Sequence, residues 1–296
     1  MLRVLAHRVR GFRTSLAFRY MPKIAELAVW AASANALPKL RSIAPVKLLL
    51  DSTIHAHAIT HEDTWIDTGE VLWGGVHPKR TGYAARVPIH AVNNDTRQYR
   101  DVCRLTVIAT LARKQVFQLY TSAELMAERT RHPPARFEAT GYSDFSLLDG
   151  LKIESLDGWH FDSFTTGGLD VSDLQNAQRM RLKSSNDQLF QDILGVLGSD
   201  VHSQDAWHIR TAQLHQMYAL LTMDYSLIRL VDAQRRKLAK LGVVTRVLTP
   251  TQLGAELGFR TVPPYLFSYT GASFPVRPDL HMPDQRRVRT RTRGTN

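Results

Sequence analysis

Cysteine is almost missing from this chain: Cys103 is the single one in 296 residues. That excludes a disulfide framework and a thiolate metal cage, and it makes a reducing cytoplasm the expected compartment. Long apolar runs are missing too. Every hydrophobic stretch is broken by charge well before the ~18 residues that mark a membrane-spanning helix. Acidic residues are scarce at the start. None precedes Glu26, although Arg3, Arg8, Arg10, Arg13 and Arg19 fall in that stretch. Negative charge is in deficit overall, at net +11 with a pI near 10.0. So basic a balance favours a polyanionic partner, nucleic acid or an anionic membrane surface, and says nothing of fold.

With 44% apolar residues the chain can bury a sizeable core, and its length suits one large domain or two small ones. Composition divides it in three. Residues 1–45 read as a basic N-terminal extension, helical or disordered and without chemistry. Arg-rich, acid-poor N-termini also resemble organelle transit peptides, and Met21 offers an alternative start. Residues 46–257 alternate strand and helix patterns. Residues 258–296 read as a Pro-rich, basic C-terminal tail ending in Arg286, Arg287, Arg289, Arg291 and Arg293, expected to be disordered and electrostatically sticky.

Within the middle region, Val46 to Leu50 is an apolar run interrupted only by Lys47, followed at once by Asp51, Ser52 and Thr53. A strand buried on both faces reads this way. The helical spacing of Val102, Leu105, Ile108 and Leu111 predicts a helix over 96–114. Residues 116–121 read as a strand, and Ser122 as the N-cap of a helix beginning Ala-Glu-Leu-Met-Ala-Glu. Residues 135–183, spaced by glycines and aspartates, give no clear element. An amphipathic helix is expected over 187–197, and another from Ser203, read as its N-cap, with Asp205 in the first turn. Tyr218 to Thr222 repeats the earlier pattern: an apolar strand, then Met223 and Asp224. A basic helix over 226–241, a strand over 243–248 and a short helix over 251–257 complete the series. Strands alternating with helices predict an α/β fold with a mostly parallel sheet.

Two stretches carry weaker signals. His57 and His61 are one helical turn apart, the spacing of a metal pair, and His55 is close. No third ligand has suitable spacing, so a polar, solvent-facing helix start is the favoured reading. Residues 62–95, rich in Gly, Pro and Asn, read as a long loop-like insertion. Trp65, Trp73, Lys79, Arg80 and Arg86 within it suit stacking and phosphate contacts on single-stranded nucleic acid. The two tryptophans serve equally well as anchors to the core.

The carboxylates carry the chemistry. Asp51 and Asp224 each follow a strand. Glu124 and Glu128 share one face of the helix after a third strand. Asp205 begins the helix that leads into the strand before Asp224. Ligands in an open parallel sheet collect outside the carboxyl ends of the strands. Acids crowded there repel one another and are costly to desolvate unless a cation sits among them. Oxygen ligands without cysteine suit Mg²⁺ or Mn²⁺. Such an ion polarises a phosphate and activates a water. A basic surface would gather the polyanion. The competing reading is that Asp224 only caps the following helix and that the glutamates only favour a helix start.

This constellation resembles the PIN-domain nuclease family. The resemblance rests on Leu-Leu-Leu-Asp51-Ser-Thr, Tyr-Thr-Ser122-Ala-Glu-Leu-Met-Ala-Glu128, Ser-Gln-Asp205-Ala-Trp-His and Leu-Leu-Thr-Met-Asp224-Tyr-Ser-Leu, with Val-Leu-Thr-Pro250 after them, over about residues 46–256. It implies a three-layer α/β/α sandwich with a mostly parallel central sheet and an acidic metal-binding edge. It implies a metal-dependent ribonuclease, many members being toxins of toxin–antitoxin pairs. The expected partners are then RNA, an antitoxin protein and a second copy of the chain. Carried over, Asp51, Asp205 and Asp224 match the family aspartates. Glu128 matches the family glutamate, with Glu124 as the alternative, and Ser52 or Thr53 matches the hydroxyl beside the first aspartate. Ser52, Thr53, Lys79, Arg80 and Arg229 are the candidate nucleic-acid contacts. The 62–95 insertion and both basic extensions depart from the short toxin pattern. A non-catalytic, RNA-binding PIN-like protein is the alternative function. A phosphotransferase of the haloacid-dehalogenase type needs a second Asp at position 53, where this chain has Thr.

Overall fold

Leu48 and Leu50 enter one hydrophobic core, and Leu49 between them enters another. Successive strand side chains point to opposite faces, so apolar residues on both put this strand mid-sheet, covered on two sides. The computed structural model describes residues 20–43, 45–91, 94–131, 145–157, 178, 180–182, 184–267 and 273–275. At 62–66, 68, 73, 83–87, 129–131, 145 and 273–275 it describes the backbone alone. Arg3 to Arg19, the C-terminal arginines and most of 135–183 lie outside the described residues, as do the side chains of Trp65, Trp73 and Arg86.

The central sheet has β1 (Val46–Leu50), β4 (Phe117–Thr121), β6 (Ile153–Ser155), β7 (Ala219–Leu221) and β8 (Arg246–Leu248). Their order is β6-β4-β1-β7-β8, and every neighbouring pair is parallel. On one face lie α1 (20–33), α2 (Leu37–Ile43), α4 (Arg97–Arg113) and α9 (Pro250–Leu257). Val29, Leu40, Val102, Leu105, Ile108 and Leu253 pack from them against Leu48, Leu50, Ala219 and Leu221. On the other face lie α5 (Ala123–Arg131), α6 (Gln188–Leu197), α7 (Ser203–Leu214) and α8 (Tyr225–Lys240). Leu125, Phe190, Ile193, Ile209 and Leu227 pack there against Leu49, Leu220 and Val247. The protein is therefore a three-layer α/β/α sandwich. No helix among the described residues is long and apolar enough to cross a membrane.

From β1 the chain steps outward to β4 and β6. It then returns to lay β7 on the opposite side of β1, with β8 beyond it. The direction of winding thus reverses between β1 and β7. A crevice opens at the carboxyl ends of strands where winding reverses, and ligands bind there. Asp51 follows β1 and Asp224 closely follows β7.

Several expectations change. Residues 62–95 are mostly not loop. β2 (Ile59–Trp73) and β3 (His77–Pro88) form a long antiparallel hairpin, extended into a small sheet by β5 (Phe145–Ser146) and β9 (Ser273–Pro275). Gly74 and Gly75, both at positive φ, make its tip, and Gly69 sits where the register shifts after Asp67. These glycines shape a hairpin rather than break a chain. His57 ends α3 (Ser52–His57), whereas buried His61 lies in β2, so the two do not share a helix face. Ser203 is the first residue of α7 and not its cap; a 3₁₀ turn, Asp200–His202, precedes it.

The folded unit also extends past both proposed boundaries. Ala25, Val29, Ala32, Ala36 and Leu40 are all buried. Three of the five are alanine, and Ala28, Ala31 and Ala34 lie between them, so little hydrophobic contrast marks the stripe. After α9, Phe259 and Val262 enter the same core, and the backbone bonds to α1 and α4 through Arg260 N–H to Ala32 O and Val262 N–H to Cys103 O.

Candidate functional site

Asp51 caps α3 with a carboxylate that is held at both oxygens. Oδ1 accepts the Ser52 backbone N–H at 2.8 Å. Oδ2 accepts the hydroxyls of Thr53 and Thr222, each at 2.5 Å. Those two hydroxyls are occupied on their other side. Thr53 Oγ1 accepts the N–H of Met223 and Thr222 Oγ1 accepts the N–H of Asp224, each at 2.9 Å. The Asp51 N–H donates to Leu221 O at the end of β7. The two strand ends are thus tied together by side chain and backbone, and the carboxylate has little freedom to turn.

Glu128 reaches the same place from α5. Its Oε2 accepts the Ser52 hydroxyl at 3.3 Å, and its Oε1 pairs with His208 Nε2 at 2.8 Å. His208 comes from α7 and is buried; its Nδ1 has no hydrogen-bond partner among the described residues. Burial alone would lower the His208 pKa. The charge and hydrogen bond of Glu128, with Asp51 and Asp205 nearby, outweigh burial and raise it.

Asp205 sits one helical turn before His208, and His202 Nδ1 lies 3.0 Å from its Oδ2. Burial raises the Asp205 pKa, and the nearby negative charge of Asp224 adds to that, against the opposing effects of His202 and His208. Asp224 has the opposite balance. Burial pushes its pKa upward, but the hydroxyl of Ser226 and the N–H groups of Leu227 and Ser226, with His202 close by, hold it below the ordinary value. The same bonds make Asp224 the N-cap of α8.

The structure thus brings Asp51, Glu128, Asp205 and Asp224 to one edge of the sheet, where each feels the charge of another member or of a shared histidine. Glu124 is turned away. It is buried against Gln178 and paired with Arg181, and Gln178 in turn accepts from Gln204. Of the candidate nucleic-acid contacts, Ser52 and Thr53 belong to this network. Arg229 lies one turn into α8, its Nε donating to Tyr225 O at 3.2 Å. Lys79 and Arg80 are exposed on the β2–β3 hairpin, where Arg80 faces Asp67 at 3.6 Å.

His202, His208 and Thr222 were not singled out from the sequence. A signal existed for the histidines. His202, Asp205 and His208 recur at intervals of three, which aligns them along one side of a helix start. For Thr222 there was none, because a threonine ending a strand reads as strand. Comparison with protein-family models, with curated proteins and with solved structures finds no match to this chain.

Proposed function

We infer that this protein is a divalent-metal-dependent ribonuclease of the PIN-like type, using Mg²⁺ or Mn²⁺. The observation that carries the reading is the pairing of Asp51 and Asp224 at the ends of adjacent strands where the winding reverses, with Asp205 and Glu128 arriving from two helices on one face of the sheet. The donor chemistry fits a hard divalent ion. All four side chains offer carboxylate oxygen, and half-buried Asp205 lies near Asp224 with its charged form disfavoured. A cation would remove that penalty. Among the described residues no three His, Cys, Asp or Glu side chains are gathered closely enough to enclose an ion, so the fit is one of ligand type.

Asp51, Asp205 and Asp224 would hold the ion, with Glu128 beside them. Once bound, it would supply Lewis-acid polarisation of a phosphate and a water of lowered pKa. The protein's own contribution is preorganisation. Thr53 and Thr222 fix the Asp51 carboxylate. Ser52 and His208 orient Glu128. Against burial, hydrogen bonds from Ser226 and Leu227 hold the Asp224 carboxyl below its ordinary value. The net charge of +11 raises the local concentration of a polyanion.

A non-catalytic RNA-binding role is favoured by a different observation. Asp51 and Asp224 both cap helices, which accounts for their positions without an ion. Asp224→Asn separates the readings. Asn caps a helix about as well as Asp, so both readings expect the same small loss from removing a stabilised carboxylate. The nuclease reading expects cleavage of RNA in Mn²⁺ to be abolished and Mn²⁺ affinity in calorimetry to fall. Undiminished cleavage would remove Asp224 from the site, and a wild-type protein that binds RNA but neither Mn²⁺ nor cleaves would establish the second reading.

A further inference from the structure

Arg97 and Tyr225 stack beside the acidic edge. The Arg97 guanidinium lies over the Tyr225 ring, 4.1 Å from its centroid, and Tyr225 directly follows Asp224 in the chain. The ring is anchored from beneath. Its hydroxyl donates to Oδ2 of Asp101 at 2.8 Å, and Asp101 is fully buried, its Oδ1 accepting the Thr251 N–H at 2.7 Å. Arg97 itself is exposed.

Helix stability does not account for this arginine. It is the first residue of α4, a helix of 17 residues with no acid in its first turn. A cation there opposes the helix dipole, and Arg100 repeats the offence within the same turn. The cation–π contact with Tyr225 is of the same order as that cost, so the stack holds Arg97 in place. What the stack leaves unused is the outer face of an exposed guanidinium beside Asp224. The chemistry available is specific. A guanidinium plane stacked on one ring presents its outer face to another flat, electron-rich group, and unpaired bases are read by stacking on aromatic rings and Arg planes. Arg97 and Arg229 flank Tyr225 with positive charge, which suits the phosphate joined to such a base.

We propose that Arg97 and Tyr225 form a stacking platform for one unpaired nucleotide of an RNA strand at the rim of the acidic edge. The proposal rests on the nucleic-acid reading above and commits to single-stranded substrate. Bases inside a duplex are already stacked and cannot use the platform.

The test is equilibrium binding of a labelled oligoadenylate of about ten nucleotides, within the usual span of a single-strand site, against an RNA duplex of equal length. EDTA is present throughout, so binding is measured without cleavage. Arg97→Ala, Arg97→Lys and Tyr225→Leu should each weaken the single strand roughly tenfold, the contribution of one stacked base. Duplex affinity should change less than about twofold. Arg97→Lys keeps the charge, so it should retain the wild-type salt slope, while Arg97→Ala should lower the slope by about one. Arg97 is exposed, so its variants report even where Tyr225→Leu fails to fold. Arg97→Lys binding like wild type, or equal losses on strand and duplex, would reduce the platform to a charge and overturn the proposal. Should the wild type cleave RNA while these variants bind normally, the platform alone fails. Should it bind through the platform and never cleave, the nuclease reading alone fails.

Discussion

Thr222 donates its hydroxyl to the Asp51 carboxylate at 2.5 Å and accepts the backbone N–H of Asp224 at 2.9 Å. One fully buried side chain therefore links the two aspartates that end adjacent strands. Valine has nearly the same shape as threonine but no hydroxyl. Thr222→Val would leave Thr53 as the sole hydroxyl on Asp51 Oδ2 and the Asp224 N–H without its partner. Leaving such buried groups unpaired costs about 1–3 kcal/mol. A urea titration should show a loss in that range with an unchanged m-value. On the proposed nuclease reading RNA cleavage should fall as well, because both aspartates lose orientation together. A variant that melts early but cleaves at the wild-type rate would make Thr222 a structural residue only.

The Glu128–His208 pair joins α5 to α7 across 80 residues of sequence, and its side chains are 14% and 4% exposed. Breaking a buried pair by removing one partner costs about 3–5 kcal/mol, because the other is left uncompensated. His208→Ala should destabilise the fold by about 3 kcal/mol. Glu128→Ala should do so less, since the histidine it leaves behind can shed its proton and become neutral. Residues in direct contact are not additive. The double variant should therefore be more stable than the sum of the two losses predicts, by at least about 1 kcal/mol. Additive losses would show that the two side chains meet without coupling.

The sheet was legible because its central strands are short, apolar and each followed at once or nearly so by an acid. Leu48 to Leu50 and Leu220 to Leu221 admit little else, since a run buried on both faces must be central in a covered sheet. Asp51 and Asp224 followed from that placement. The hairpin was not legible, because glycines at 69, 74 and 75 suggest loop unless the tip and the bulge are already known. The N-terminal helices were hidden by low contrast. The buried stripe of Ala25, Val29 and Ala32 is flanked by Ala28, Ala31 and Ala34, so the two helix faces look alike. Glu124 and Glu128 could not be separated, because both sit on one helix face. Only long-range partners, Gln178 and Arg181 for the first and Ser52 and His208 for the second, decide which one looks into the edge.

Asp187 offers a pH-dependent test of the fold away from the acidic edge. It caps α6, its Oδ1 accepting the Phe190 N–H at 2.9 Å, and its Oδ2 receives Nε of Arg210 from α7 at 2.8 Å. Arg210 in turn covers the Trp207 ring, which meets Phe190 edge-on. The Arg210 hydrogen bond is the main cause of a lowered Asp187 pKa. Burial opposes it, and the Phe190 N–H and the Arg210 charge reinforce it. A carboxyl whose folded pKa lies below its unfolded value binds fewer protons in the native state. Its contribution is complete above the ordinary value of 3.8 and is lost as pH falls through the lower, folded one. Asp187→Asn keeps the cap and removes the charge. At neutral pH it should cost about 1 kcal/mol, the scale of a partly screened ion pair. Asp187→Ala should cost about 2 kcal/mol, because the cap is lost too. Denaturation measured from pH 7 down to pH 3 should show the gap between Asp187→Asn and wild type closing over the lowest unit. A gap that stays constant to pH 3 would mean that the Arg210 pair adds no pH-dependent stability.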